Sequence, residues 1–403
     1  MYPTKKDELN TIYIRSNEIN MMKGKYFSGT RLRSARIYRG MTITELATYL
    51  GVTKQSISQY ENNLISPQFE VLMKMINVLK FPREYFYEKD EIEVRLGNTY
   101  FRALSKMSKK EKHMKKESIK LLGKLFAFLN EYIEFPELNL PEIDDNLSIE
   151  DKALKLREYW GLGEEPITDI VYVLEKNGII VSSMNTNTDN IDAISQKQII
   201  NGKKHYIIVL GNDKFSASRR QFSAAHKLGH LILHDAFLEL ENMTREEIRN
   251  MEKEAHAFAA AFLLPKNTFS NDIKLYPTNL DYYKQLKKKW RTSISAMIVR
   301  ANHLGVLSYS SYQSLVKKMS KLGWNMEEPL DDTLAMSKPT VLRRAIDILI
   351  DNDILNEKEI VKELSLFGLS LSREEIENLL GLCEGELEPK KTESRIIELP
   401  IRK

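Results

Sequence analysis

The chain has 403 residues, 42% hydrophobic and 29% charged, with a formal net charge of +4. That length allows two or three domains, and the composition is that of a globular protein, not a disordered or fibrous one. No apolar run reaches the roughly 18 residues that span a bilayer, the opening MYPTKKDELNTIYIRSNEI lacks the apolar core of a signal peptide, and the single cysteine, Cys383, excludes an intrachain disulfide; the expectation is a cytoplasmic protein without a membrane partner.

The charge is unevenly placed. Residues 1–130 hold 24 Lys/Arg against 13 Asp/Glu, which leaves the rest net acidic. A basic end on an acidic body points to a polyanion partner for the first part alone. Residues 1–27 read as a poorly structured N-terminal extension. Residues 28–87 read as short helices in a small domain.

Within that domain, MTITELATYLGVTKQSISQYENN has helix-turn-helix grammar. Ile43, Leu46, Ala47 and Leu50 form one apolar face, Ala47 being small where two helices cross. Gly51 suits the sharp turn because it tolerates positive φ. Val52 and Ile57 tuck the second helix onto the first. Lys54, Gln55, Ser56 and Gln59 are left exposed, with donors and acceptors suited to base edges and phosphates. The bland alternative is a helical hairpin with a polar face. Residues 28–87 resemble the XRE family, the lambda-repressor-like helix-turn-helix, whose Q-S-I-S-x-x-E core stands here as Gln55 to Glu61. The resemblance implies that Gln55, Ser56 and Gln59 read bases, with Thr53 and Lys54 near phosphate. Arg31, Arg33 and Arg36 on the first helix are further candidates for phosphate contact. Asn63 stands where the family commonly has Gly, and Asn also tolerates the left-handed conformation.

Residues 88–147 read as a helical linker. Its lysine run, Lys106 to Lys124, is either a solvated helical face or a DNA backbone contact. The linker ends near the proline-marked turn FPELNLP.

The mixed region begins at 148 and is expected to run to 325. A helix over Ile170–Glu175 should meet a turn at Asn177-Gly178 and then a strand from Ile179 to Val181. Tyr206 to Leu210 (YIIVL) is a clearer strand, expected at a sheet edge where a peptide could align by β-pairing. Helix-rich sequence runs from Arg219 to Pro265. In AAHKLGHLILH, His226 and His230 lie one helical turn apart on one face and can grip one zinc ion. The zinc-peptidase motif is H-E-x-x-H, with Glu as general base; here that position is Lys227. Downstream, EKEAHAFAAAFLLP reads as a buried helix with Glu252, Ala255, Ala259 and Phe262 along one stripe. A carboxylate ending an Ala stripe can approach the histidine helix and complete a zinc site, which favours Glu252 over Glu254. The purely structural alternative leaves both histidines as hydrogen-bonded core residues.

These two segments, RRQFSAAHKLGHLILH and EKEAHAFAAAFLLP, resemble the ImmA/IrrE family of gluzincin-like metallopeptidases over about residues 148–310. The resemblance implies His226, His230 and Glu252 as zinc ligands. By the same motif, His234 orients a ligand or bound water, and His256, four after Glu252, is a partner behind the ligands. Lys227 departs from the family at the position of the catalytic acid. A neutral lysine can act as a base in principle, but the more direct expectation is a retained fold without proteolysis. LKKKWRTSISAMIVRANHLGVLS has a second, weaker helix-turn-helix look and reads as structural packing. Residues 326–403 should form a small C-terminal helical domain and tail, with Ala345, Ile346, Leu349 and Ile350 on one packed face and Leu364, Leu369, Ile376 and Leu380 completing a core.

The fold expected is α+β, mostly helical: a five-helix-type helix-turn-helix domain, a gluzincin-like domain with a small sheet, and C-terminal helices. The function expected is a DNA-binding transcriptional regulator on a double-stranded operator. It is expected to dimerise, because one such module buries too little surface for high specificity. The metallopeptidase-like domain would serve sensing or protein interaction, its partner a repressor, toxin or phage protein. Two rivals are an active zinc endopeptidase that cleaves a repressor or itself in a stress or phage response, and an antitoxin-like or phage-defence component.

Overall fold

The computed structural model describes residues 26–88, 92–101, 108–184, 193–212, 216–234 and 243–389. Most of the N-terminal extension, Lys106, and the tail beyond 389 lie outside them. The described residues fall into two compact units, one within Met1–Glu91 plus Leu364–Ser372, the other within Ile92–Glu363 plus Arg373–Lys403. Among them are sixteen α-helices and one small mixed sheet.

The first unit contains α1 (Gly29–Tyr38), α2 (Ile43–Leu50), α3 (Lys54–Glu61), α4 (Phe69–Leu79) and a 3₁₀ turn (Arg83–Tyr87) in the place of a fifth helix. The starts of α1, α2 and α3 are fixed by side chains. Ser28 caps α1, Thr42 and Glu45 form a reciprocal capping box on α2, and Thr53 accepts from the Ser56 amide at α3. Such caps satisfy amides that the helix itself leaves open, for about 1 kcal/mol each. Gly51 ends α2 with φ +69°, the left-handed turn that its missing Cβ permits. Gly29 is required for another reason: a Cβ there would overlap the Tyr60 carbonyl, so α1 can cross the end of α3 only without one. Leu32, Ala35, Leu46, Ala47, Leu50, Ile57, Leu72 and Met75 make the core. Phe27, assigned to the extension from sequence, is buried and stacks on Phe86, so the module begins slightly earlier.

The second unit is layered on the sheet. Its strands are β1 (Val94–Phe101), β2 (Ile180–Met184), β3 (Ala193–Ile200) and β4 (Lys203–Gly211), in the order β1-β3-β4-β2. β1 and β4 run antiparallel to β3, and β2 runs parallel to β4. A hairpin joins β3 to β4 through Asn201 and Gly202, both at positive φ (48° and 80°), the residue pair that a two-residue turn favours. YIIVL therefore lies inside the sheet as part of β4; the edges are β1 and β2. The expected edge position fails because the partner on its far side, β3, is a polar-rich strand with a weak sequence signal.

The linker also differs from expectation. Beyond α5 (Lys109–Leu129) it contributes β1, because residues 94–101 find backbone partners about a hundred residues later, at 194–200. Helix α5 packs on the sheet through Ile119, Leu122 and Leu125, and a Cβ on Gly123 would collide with Gln198 of β3. Lys115 and Lys124 are buried, so the lysine run is only in part a solvated face.

On the opposite face of the sheet lies α8 (Ala217–Leu233), crossed by α9 (Arg245–Leu263); α6 (Ile149–Tyr159) backs α9, and α7 (Ile170–Lys176) leads into β2. α8 is buried nearly all round, as befits a central helix. Arg157 of α6 is fully buried and donates to the carbonyls of Gly163, Phe262 and Glu165; burial pushes its guanidinium down to about 10. Then come α10 (Lys266–Ile273), α11 (Leu280–Trp290), α12 (Ile294–His303) and α13 (Tyr309–Lys321). Trp290, Ile294, Met297, Ile298 and Ala301 join the main core, as expected for the second, weaker helix-turn-helix look. The C-terminal helices α14 (Val341–Asp351), α15 (Glu357–Leu366) and α16 (Arg373–Leu380) follow. α14 and α16 pack on β2, and Ser182 donates to the Leu379 carbonyl at 2.7 Å, so both belong to the second unit.

Candidate metal centre and nucleic-acid interface

On α3, Thr53, Lys54, Gln55 and Gln59 are exposed, and Ser56 is half-buried. Gln55 and Gln59 stand one turn apart, so both amides share one face. Thr53 Oγ1 and Ser56 Oγ lie 2.8 Å apart, which makes both hydroxyls part of the helix cap. Asn63 has φ +57° and its Oδ1 accepts from the Gly29 amide at 2.6 Å, so the asparagine takes the left-handed turn and also holds α1.

The three arginines of α1 divide. Arg33 is exposed. Arg36 is buried and pairs with Glu61 through Nε and Nη2, the latter at 3.0 Å. Arg31 is buried over the Tyr85 ring, donates to the Gly368 carbonyl at 2.8 Å and lies 3.8 Å from Glu88. Phosphate contact by Arg31 and Arg36 is therefore corrected: both are committed to internal carboxylates and carbonyls. The helical period carried the signal, since Arg36 follows the core residue Leu32 by four.

The candidate metal centre lies where α8 crosses α9. Gly229 sits at the crossing; a Cβ there would press on the Ala255 backbone and the Phe258 ring. Small residues at that point let the helix axes approach, and the approach carries Glu252 to the histidines. His226 Nε2 lies 3.5 Å from Glu252 Oε2, and His230 Nε2 lies 3.4 Å from Glu252 Oε1. Both rings are buried, and the His230 Nε2 has no hydrogen bond among the described residues. Two atoms each about 2.1 Å from a tetrahedral zinc lie about 3.4 Å apart. Donor types and the distances to Glu252 suit a metal ion between the two helices, and the group whose ligand atoms all lie within 4.8 Å of one another is His226, Glu252 and His256, with His230 on the other Glu252 oxygen.

The groups behind the candidate ligands are ordered as a relay. His230 Nδ1 lies 3.2 Å from His234 Nδ1, and His234 Nε2 lies 3.0 Å from Glu254 Oε2. Glu254 is therefore the partner of His234, and the relay fixes which His230 nitrogen faces the centre. His256 was expected only as such a supporting partner. Its Nδ1 bonds the Glu252 carbonyl at 3.0 Å, and its ring stacks edge-on to His226 at 4.4 Å. It also has a ligand atom within 4.8 Å of those of His226 and Glu252, which makes it a candidate ligand too.

Lys227 is fully buried on α8, next to His226 and three residues before His230. His230 is held well below the ordinary imidazole range, first by burial and then by the charges of Lys227, His234 and His256. A neutral imidazole is the form that binds metal. One contact had no sequence signal at all: the Tyr100 ring of β1 stacks on His230, with centroids 4.7 Å apart and planes 13° from parallel.

Comparison with known families agrees with this geometry. Residues 32–86 match the family model described as helix-turn-helix, and residues 174–302 match the peptidase model described as the IrrE N-terminal-like domain. The chain thus joins an XRE-type helix-turn-helix module to an ImmA/IrrE-like domain. The first match supports binding to double-stranded DNA. No curated protein matches the chain. Among the described residues, no helix is long and apolar enough to cross a membrane.

Proposed function

We propose that the chain is a cytoplasmic DNA-binding transcriptional regulator whose metallopeptidase-like domain holds zinc without cleaving peptides and serves sensing or protein interaction. The observation that carries this reading is Lys227, buried without exposure at the position of the catalytic acid. Zinc supplies a Lewis acid when bound. The proton transfers are the chain's own task, and a lysine amine differs in stem length and in charge type from the carboxylate that performs them in H-E-x-x-H. Losing such a group costs typically about 10²–10⁴-fold in rate. On the DNA side, Gln55 and Gln59 would read base edges, with Thr53, Lys54 and Arg33 at phosphates. A homodimer is favoured by the exposed apolar side chains Leu64, Ile65, Phe69 and Met73, which sit beside the reading helix in sequence and lie open on a charged module.

The test compares the wild type with Lys227→Glu, measuring zinc content and cleavage of a peptide library. The wild type should bind about one zinc per chain and cleave nothing. Lys227→Glu should bind zinc more tightly, because a nearby positive charge is removed. Metal-dependent cleavage by the unaltered chain would overturn the pseudo-enzyme reading.

A further inference from the structure

β1 places a piece of the chain where a partner peptide could lie. Without β1 the sheet would read β3-β4-β2, and β3 would be an open edge next to the metal centre. Tyr100 pairs with Ser195, and Ser195 pairs with Ile208. Residues in such a cross-strand row share one face of the sheet, and here that face is the one covered by α8. Tyr100 fills it, 1% exposed, stacked on His230 and 6.2 Å from His234.

Two features mark this pairing as separable. Its register shifts between Leu96 and Thr99, whereas β3 and β4 pair without a break over eight residues. β3 is also unusually polar for a strand buried on both faces, which normally reads as a continuous apolar run. Ser195, Gln196 and Gln198 have no exposure; Gln196 donates to Thr99 Oγ1 at 2.6 Å, and Gln198 donates to Gln196 Oε1 at 2.8 Å. Water can satisfy these groups once β1 leaves, which it could not do for a row of Val and Ile.

We propose that the edge of β3 is a binding site for an extended peptide with an aromatic side chain against His230, and that residues 94–101 fill it in the resting protein. The ladder amides and carbonyls give affinity and the aromatic pocket gives selectivity. This deepens the protein-interaction reading above by naming its site and its built-in competitor. It does not depend on zinc.

The test uses the full chain and a labelled synthetic peptide, VRLGNTYF, added in trans. Tyr100→Ala should speed amide hydrogen exchange over 193–200 at least tenfold and bind the peptide at least tenfold more tightly than the wild type. Tyr100→Phe keeps the stacking ring and should behave as the wild type. A second variant, Val94→Cys with Ile200→Cys and Cys383→Ser, joins the paired ends of β1 and β3. It should refuse the peptide when oxidised and accept it at the wild-type level when reduced. Equal binding by the locked and reduced forms would overturn the proposal, as would equal binding of a scrambled peptide. Repeating the series with a metal chelator separates this result from the zinc reading, since strand exchange should persist.

Discussion

The second helix of the helix-turn-helix, α3, and the α8–α9 crossing use polar side chains in opposite ways. Gln55, Gln59 and Lys54 stay in water and are arranged by one short helix. His226, His230 and Lys227 are buried on α8 and gain meaning only when Glu252 arrives from another helix. An exposed face tolerates substitution with a local loss. A buried set does not, because each polar group must have a partner or strand its neighbours at a cost of several kcal/mol.

Four measurements sharpen or break that contrast. The largest effect should come from Arg36→Ala, which leaves the buried Glu61 carboxylate without its ion pair. It should cost about 3–5 kcal/mol in the first unit's stability, read by chemical denaturation, while Arg33→Ala changes stability little. If the two behave alike, the inward assignment of Arg36 is wrong. Next, His230→Ala should lower zinc affinity by at least on the order of 100-fold, since even partners behind a ligand are worth about 10–100-fold. Metal content after dialysis reads it. Unchanged zinc would move the centre onto His226, Glu252 and His256.

Third, Gln55→Ala and Gln59→Ala should each weaken operator binding by about 1–3 kcal/mol and leave the melting temperature unchanged. A shift in melting would mean that these side chains are structural. The smallest effect is in pH. His230 is held below its ordinary value in the folded chain, so the unfolded chain takes up a proton near pH 6.5 that the folded chain refuses. The metal-free protein should lose roughly 1.4 kcal/mol per pH unit below that point, and the dependence should vanish in His230→Ala.

The same contrast explains what could be read in the sequence. Helices α2 and α3 and the turn at Gly51 are legible because caps, apolar spacing and glycine all act within 25 residues. α8 and α9 are legible because the histidine pair and the alanine stripe each keep a helical period. β1 was missed because VRLGNTYF has little alternation and its partners lie a hundred residues away. β3 was missed because its buried positions are Ser and Gln, although the Asn201-Gly202 turn marks its end. Arg31 and Arg36 look like phosphate ligands until Glu88 and Glu61 are placed, and only the second pair lies near in the chain.

The bond from Arg31 to the Gly368 carbonyl spans 337 residues, and Glu88 accepts from the Ser370 amide at 3.0 Å. A ribosome adding about 5–20 residues per second needs roughly 15–70 s to deliver that partner segment. Through that interval the first helix of the DNA-reading module is sealed on one side only by water. That contact is therefore completed only after most of the chain has been made, and a chain broken off before residue 364 should carry a looser first helix.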